Sequence, residues 1–198
     1  MPTGATRTTA RGGELKRQAI LEAALELFVE RGFHGTSVPS VADKAGVGAG
    51  TIYRYFASKE ALVNELFREH KQAVARHVLD GFPFGAPARE QFRVFFQRLT
   101  DYARSQPRAF AFLELHSHAD YLDDESREVE RQILDFALRF FETTQAKGEI
   151  KSLDPMLMIG VLFGAIVGMV KLSWEGKLQL TDARLEAAEQ LCWEAIRA

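Results

Sequence analysis

The chain has 198 residues, of which 46% are hydrophobic and 26% charged, and this composition excludes a disordered or low-complexity protein. Its first 13 residues lack the apolar run of a secretory signal, and its single cysteine, Cys192, excludes an internal disulfide. We therefore predict a cytoplasmic protein.

Charge is unevenly distributed along the chain. The net charge is −2, which by itself argues against a nucleic-acid-binding protein. Residues 1–59, however, carry +3, whereas the remaining 139 residues carry −5. This asymmetry predicts a small basic module that binds a polyanion, joined to an acidic body with another role.

Three helices are predicted in the basic part of the chain, after a flexible arm over 1–13. Apolar residues at helical spacing predict the first helix over 14–31. Ser37 is a suitable N-cap for a short second helix that ends at Gly46. A third short helix is predicted over 49–56.

Longer helices are predicted in the acidic body. Ser58 caps the first of them, which ends before the GFPFGAP segment at 81–87. Met156–Val170 holds no charge but, at 15 residues, is shorter than the roughly 20 that cross a bilayer, which predicts a buried helix. Since no segment has a strand pattern, the predicted fold is all-α with about nine helices. The remaining predicted helices cover 88–105, 107–120, 124–146, 154–175 and 181–197.

The two short helices suggest a DNA-binding motif. Two such helices joined by a tight glycine turn, within a three-helix unit of about 45 residues, are typical of a helix-turn-helix. In this motif the second short helix enters the major groove of DNA. Gly48, Ala49 and Gly50 allow the backbone to approach DNA closely and leave N–H groups available for phosphate or base contacts.

Helical spacing predicts which side chains of this segment face DNA. Ile52 and Phe56 face inward. The side chains left on or near the outer surface are Thr51, Tyr53, Arg54 and Tyr55. Tyrosine hydroxyls can donate to phosphates, Arg54 can bind a guanine or a phosphate, and Lys59 adds a further phosphate contact. The alternatives are internal packing for the two tyrosines and a solvated surface charge for Arg54.

Residues 36–67 resemble the DNA-binding region of the tetracycline-repressor (TetR) family. The family pattern runs through Thr, a hydrophobic-Ala pair, Ala-Gly-Val, Tyr-x-Tyr-Phe and Lys-Glu-x-Leu. The matching residues are Thr36, Val41, Ala42, Ala45, Gly46, Val47, Tyr53, Tyr55, Phe56, Lys59, Glu60 and Leu62. The similarity extends over residues 14–67, and the rest of the chain matches only in being helical and of suitable length.

The resemblance implies a domain division and a function. It implies a DNA-binding domain over 14–58 and an effector-binding and dimerisation domain over 59–198. The residues implied to contact DNA are Ser37, Ala49, Gly50, Thr51, Tyr53, Tyr55 and Lys59. Because Pro39, Gly48 and Ala49 stand where members often carry polar or basic groups, the operator cannot be copied from a relative. The implied function is that of a transcriptional repressor released from a palindromic operator by a small hydrophobic or aromatic ligand.

The N-terminal arm is a further candidate for DNA contact. Arg7 and Arg11 precede every acidic residue of the chain, in a segment rich in Thr and Gly. A flexible arm of this kind can place an arginine in the minor groove. The alternative is a disordered end without a DNA contact.

A homodimer is expected, since helix-turn-helix proteins bind DNA as two-fold dimers. The resemblance implies that the last two helices form the interface. Glycine recurs there every four residues, forming a smooth stripe that lets another helix approach closely. The residues predicted at the interface are Gly160, Gly164, Val167, Gly168, Leu185 and Cys192. The alternative is that the glycine stripe packs within one subunit.

The chain has a surplus of phenylalanine, 15 residues, concentrated between 82 and 141. Aromatic side chains with a few polar groups line small-molecule pockets. The candidate pocket residues are Phe92, Phe96, Tyr102, Phe110, Leu113, His116, Phe136 and Phe140. For each single phenylalanine the alternative is ordinary core packing.

Metal binding and catalysis find little support. In LELHSHAD, at 113–120, His116 and His118 are two positions apart, and such side chains point away from each other on a helix. There is no phosphate loop and no nucleophile elbow. We predict no cofactor, no metal and no enzyme activity. The rival functions are a DNA-binding regulator without an effector, and a helical ligand carrier with a vestigial helix-turn-helix.

Overall fold

The computed structural model describes residues 5–198, with side chains described from residue 12 onward. Within this range there are nine α-helices and no strand beyond one isolated bridge, so the predicted all-α fold is confirmed. The helices are α1 (Ala5–Arg31), α2 (Val38–Ala45), α3 (Ala49–Ile52), α4 (Lys59–Leu79), α5 (Ala88–Ser105), α6 (Pro107–Leu115), α7 (Asp124–Ala146), α8 (Pro155–Trp174) and α9 (Asp182–Ile196).

The first helix begins earlier than the sequence predicted. It covers 5–13, where we expected a flexible arm, and no proline interrupts it. The extension runs through Gly12 and Gly13, whose helix propensity is low, so the local sequence did not indicate it. The side chains of Arg7 and Arg11 lie outside the described residues, and their minor-groove contact stays a prediction.

The caps of the second helix follow the prediction. The Ser37 hydroxyl accepts from the Ser40 backbone N–H at 3.3 Å, and the Ser40 hydroxyl accepts from the Ser37 N–H at 3.2 Å, which forms a capping box. At the other end Gly46 has φ +66°, the left-handed conformation that ends α2 and turns the chain into α3.

Two helices end sooner than predicted. The α-helix that was predicted to reach Phe56 stops at Ile52, and the Tyr55 N–H then bonds the Ile52 carbonyl, three residues back, at 2.9 Å. Such i to i−3 bonds tighten the chain into a turn, in a segment whose β-branched and aromatic residues favour the α-helix weakly. Likewise α6 stops at Leu115 rather than at residue 120, and residues 116–123 form an irregular segment that we call the α6–α7 loop.

The described chain divides into two compact units. The first contains the described residues up to His70 together with Arg108–Ser126, and the second contains Lys71–Pro107 and Arg127–Ala198. We expected the boundary after residue 58, so the first unit is larger than predicted. It gains the first half of α4, most of α6 and the whole α6–α7 loop.

The eighth helix is apolar but largely uncovered. By length and composition α8 is long and apolar enough to cross a membrane, with a mean hydropathy of 2.1, yet only 22% of that stretch is buried. The expectation of a buried helix is therefore wrong. Within the chain one side of α8 packs, through Met158, Leu162, Ile166 and Val170. The remainder of this apolar surface faces outward.

Gly46→Ala tests whether the left-handed turn between α2 and α3 needs glycine. Nothing lies within 4 Å of a Cβ at this position, so the cost comes from φ alone. We expect the free energy of unfolding to fall by about 1–2 kcal/mol, measured by urea denaturation at fixed protein concentration. Gly50→Ala is the matched control, because it has open space and no positive φ. Equal stability of Gly46→Ala and wild type would contradict the argument.

Candidate nucleic-acid interface

The segment after Gly46 presents an exposed polar surface. Ile52 and Phe56 are buried, at 1% and 5% exposure, while Tyr53 is 57% exposed. Arg54 is also exposed, and Thr51 is half-buried. The inward and outward sides therefore follow the predicted spacing, even though the α-helix itself is short.

The small residues leave space in front of this surface. Ser37, Ala49 and Gly50 are exposed, and a Cβ added at Gly50 would meet no heavy atom within 4 Å. At Gly48 the nearest such atom is the Thr51 hydroxyl, at 3.9 Å. An approaching molecule can therefore reach the backbone here.

Tyr55 is partly exposed and partly packed, so the DNA-facing and the internal-packing alternatives each apply in part. It is 36% exposed, but its hydroxyl lies 3.6 Å from the position of a Cβ on Gly13 of α1. Its ring is 6.5 Å from that of Phe56, centroid to centroid. Tyr55 thus packs along α1 and keeps one edge in solvent, whereas Tyr53 has no comparable restraint among the described contacts.

Lys59, which was predicted as a phosphate contact, bonds backbone carbonyls of its own unit. Its ammonium nitrogen donates to the Phe33 carbonyl at 2.9 Å and to the Thr36 carbonyl at 3.0 Å. The same atom lies 4.0 Å from the centroid of the Phe33 ring. These bonds use two of the three N–H donors of the ammonium, which also lies over an aromatic ring. No local pattern could have shown this, because the acceptors lie 23 and 26 residues away.

The positive charges of the first unit are not equally available. Lys44 pairs with Glu26 at 2.8 Å, and its hydrogen bond lowers the pKa of the Glu26 carboxyl. Arg17 pairs with Glu65, and its guanidinium lies 5.9 Å from the ring centroid of Phe56. Among the described contacts Arg54 has no ion pair. Its guanidinium is therefore available to an external anion.

The candidate pocket residues are distributed over the two units. Phe110, Leu113 and His116 belong to the first unit, whereas Phe92, Phe96, Tyr102, Phe136 and Phe140 belong to the second. Phe92 packs on Trp193 of α9 at 5.6 Å, and Phe96 and Phe110 are each 1% exposed. Most of the phenylalanine side chains pack in the cores of the two units, because large aromatic rings supply the most buried area per residue.

The second unit has an open depression of about 890 Å³, lined by other residues. They come from the end of α4 and from α5: Ala75, Arg76, His77, Leu79, Asp80 and Arg98. Arg98 already donates to the Val78 carbonyl at 2.7 Å. None of the predicted pocket residues borders this depression, which is lined by charged and apolar side chains together with the imidazole of His77.

Some of the residues predicted at the dimer interface are uncovered in the protomer, and others are buried. A Cβ added at Gly160, Gly164 or Gly168 would meet nothing within 4 Å, so the stripe is not packed against the described part of the chain. Leu185 is buried at 8% exposure, which is a correction: it packs within the protomer. Cys192 is half-buried, and burial raises the pKa of its thiol.

Sequence reasoning missed the large apolar residues beside the stripe. Val167, which was predicted, is half-buried. The missed residues are more exposed: Leu157 at 59%, Val161 at 56%, Leu172 at 42% and Leu191 at 73%. The i, i+4 spacing of Leu157 and Val161 was the signal that could have found them.

The histidine segment offers no metal site. No group of three or more His, Cys, Asp or Glu side chains among the described residues is placed to hold a metal ion. His118 is 7% exposed, and its Nε2 donates to the Phe112 carbonyl at 2.6 Å. It acts inside the first unit rather than in a cleft.

Comparison with known proteins covers the whole described architecture. Residues 20–66 match the model of bacterial regulatory proteins of the tetR family, and residues 67–198 match the C-terminal domain described as tetracyclin repressor-like. The transcriptional regulator RutR of Escherichia coli strain K12 is 29% identical over 171 residues, covering 83% of this chain and 80% of RutR.

Solved structures share the fold. A TetR-family regulator from Shewanella sp. PV-4 is 30% identical with a TM-score of 0.79, covering 92% of this chain and 98% of that one. AibR, solved with isovaleryl coenzyme A and operator DNA, has a TM-score of 0.77 at 21% identity, covering 90% and 97% of the two chains. The two family models together span nearly the entire sequence, and the chain belongs to the tetR family of DNA-binding transcriptional regulators.

Proposed function

We propose that this protein is a cytoplasmic, homodimeric repressor that binds a palindromic operator through the surface of Thr51, Tyr53 and Arg54. The observation that carries the proposal is the arrangement after Gly46, where two buried anchors turn a phenol and an unpaired guanidinium outward. This surface lies inside the segment that matches the family's DNA-binding model.

The exposed side chains suit different parts of the DNA. The Tyr53 hydroxyl can donate to a phosphate, which positions the protein without reading sequence. Arg54 can make two hydrogen bonds to the O6 and N7 of guanine in the major groove. With glycine and alanine at 48–50, side-chain readout depends on few residues, and the exposed backbone supplies further donors to phosphate.

The exposed face of α8 supports a homodimer. A two-fold dimer places its recognition helices about 34–36 Å apart, one turn of DNA. The open glycine stripe admits a second helix at close range, and the exposed leucine and valine side chains beside it supply apolar area. A stable interface of this kind buries about 1,600 Å² in total. A second copy of this chain therefore accounts for the uncovered apolar surface without a membrane.

Release by a small hydrophobic ligand is the finer part of the proposal. AibR was solved with an acyl coenzyme A and operator DNA, which shows that a protein of this fold binds both. A ligand acts by favouring one of two conformations, and couplings of about 1–3 kcal/mol are typical. In this chain such a ligand would have to enter between aromatic rings that pack on one another.

A regulator without an effector is the second candidate. The packing of Phe92 on Trp193 and the burial of Phe96 and Phe110 favour it, because these candidate pocket rings contribute to the protein core. Titration of the protein–DNA complex with hydrophobic compounds, acyl coenzyme A among them, separates the two candidates. Release of DNA supports the ligand-controlled repressor.

Selection of bound DNA from a random pool tests the proposed function. We expect a palindrome whose half-sites lie about one helical turn apart, since two copies bind around a two-fold axis. Binding should weaken steeply with salt, because each neutralised phosphate releases counterions. A pool that yields no enriched sequence would count against the repressor and in favour of a carrier.

Arg54→Ala and Tyr53→Phe test whether Arg54 reads a base and whether Tyr53 contacts a phosphate. If Arg54 reads a base, its loss relaxes preference at one position of the half-site and costs about 1–3 kcal/mol. Tyr53→Phe should weaken binding to all sequences alike by about 1 kcal/mol. Both effects are measured by fluorescence anisotropy on the selected operator and its single-base variants. A uniform loss from Arg54→Ala would make Arg54 a phosphate contact.

Gly164→Leu tests the proposed dimer face. Leucine has space in the protomer and a higher helix propensity than glycine, so the fold should not suffer. Its bulk would separate two helices that approach along the stripe, raising the dimer dissociation constant at least about tenfold, by analytical ultracentrifugation. Gln97→Leu, on the exposed side of α5, is the control for added apolar bulk. A dimer as tight as wild type would disprove this face as the interface.

A further inference from the structure

The α6–α7 loop (116–123) is tied to the start of the helix-turn-helix through an aromatic stack. The ring of Tyr121 lies on that of Phe33, with centroids 4.2 Å apart and planes at 23°. Phe33 belongs to the turn between α1 and α2. A residue 88 positions later in the chain therefore restrains the turn that leads into α2.

Hydrogen bonds fix Tyr121 in this position. Its hydroxyl donates to Nδ1 of His118 at 2.8 Å, and Nε2 of His118 donates to the Phe112 carbonyl at 2.6 Å. Since a carbonyl only accepts, the imidazole proton lies on Nε2 and Nδ1 is left to accept. Burial raises the pKa of Tyr121 to about 12, with a smaller contribution from Asp120, so the phenol stays protonated and donates.

The backbone of the loop is held by α4. The Asn64 side chain, 2% exposed, donates to the Tyr121 carbonyl at 2.7 Å and accepts from the Asp123 N–H at 2.9 Å. One turn further along α4, Arg68 donates to the two carboxylate oxygens of Asp123 at 3.1 Å and 3.0 Å. Asn64 and Arg68 of α4 thus hold the end of the α6–α7 loop in place.

The same Phe33 turn is held from α4 by Lys59, whose ammonium bonds the Phe33 and Thr36 carbonyls and lies over the Phe33 ring. The Thr36 hydroxyl in turn donates to the Gly32 carbonyl at 2.9 Å. Thr36 directly precedes Ser37, the N-cap of α2. The stack and the lysine therefore set where α2 begins.

From these contacts we infer that the α6–α7 loop is a positioning element of the DNA-binding surface, with Tyr121 as its positioning residue. The inference rests on the proposed binding of DNA. The α6–α7 loop lies outside the segment that matches the tetR-family model, because that segment ends at residue 66. Because α2 leads through Gly46 into α3, a displaced start of α2 displaces the outward surface with it.

The consequence for affinity follows from population arithmetic. A protein in which only a fraction of the molecules has the binding-competent geometry shows an apparent Kd equal to the intrinsic Kd divided by that fraction. The contacts with phosphate in the competent geometry stay the same, so the slope of log K against log salt does not change. A positioning residue therefore raises Kd without altering the salt slope, whereas a phosphate contact changes both.

Tyr121→Ala is the main test, measured as the Kd for the selected operator at several salt concentrations. We expect Kd to rise about tenfold with an unchanged salt slope. Tyr121→Phe keeps the stack on Phe33 and should recover most of the affinity. Phe82→Ala is the matched control: it removes an aromatic ring that is 7% exposed and lies 5.1 Å from the ring of Phe84, in the second unit. It should leave Kd within about twofold of wild type.

The outcomes separate this inference from the proposed function. A wild-type protein that binds no DNA refutes the proposed function, whereas a wild-type binder whose Tyr121→Ala variant binds equally well overturns the positioning role of the loop. Tyr121→Leu serves if Tyr121→Ala does not fold, because leucine fills part of the space of the ring while the aromatic stack and the hydroxyl bond to His118 are lost. The same tenfold rise without a slope change is expected. A salt slope smaller by about one would overturn the inference, because it would make Tyr121 a phosphate contact.

Discussion

The DNA-facing surface depends on the burial of Ile52 and Phe56. A helix of four residues is far too short to be stable in water by itself, so α3 exists only because these two side chains are held in the core of the first unit. With these two side chains facing inward, the side chains between them face outward. Tyr53 and Arg54 then face outward, and the function that we propose follows from this geometry.

Several positive charges of the first unit are bound by groups of the same unit. Lys59, Arg17 and Lys44 all carry positive charge near the recognition segment, yet each is engaged by carbonyls or carboxylates of the same unit. Buried polar groups are costly unless they are hydrogen-bonded, and the described side chains include no buried N or O atom without a partner. The net charge of a basic segment therefore overstates the number of cations that DNA can meet.

The second unit has an apolar surface that the described part of the chain leaves uncovered. Monomeric proteins rarely expose contiguous apolar patches beyond a few hundred Å². On α8 the glycine stripe lies beside exposed leucine and valine side chains, while the other side of the helix is packed. A second copy of this chain is the partner that we propose for this surface, because helix-turn-helix proteins bind DNA as two-fold dimers.

Local signals in the sequence determined much of this fold. The caps at Ser37 and Gly46, and the inward spacing of Ile52 and Phe56, act over a few residues and appear in the structure as the sequence predicts. The family pattern at 36–67 likewise indicated DNA binding before any coordinates. Only the tertiary structure decided the contacts of Lys59 and the packing of Tyr121 on Phe33. These depend on partners tens of residues away, and the spacing of a sequence carries no record of which distant backbone carbonyl or ring will be adjacent after folding.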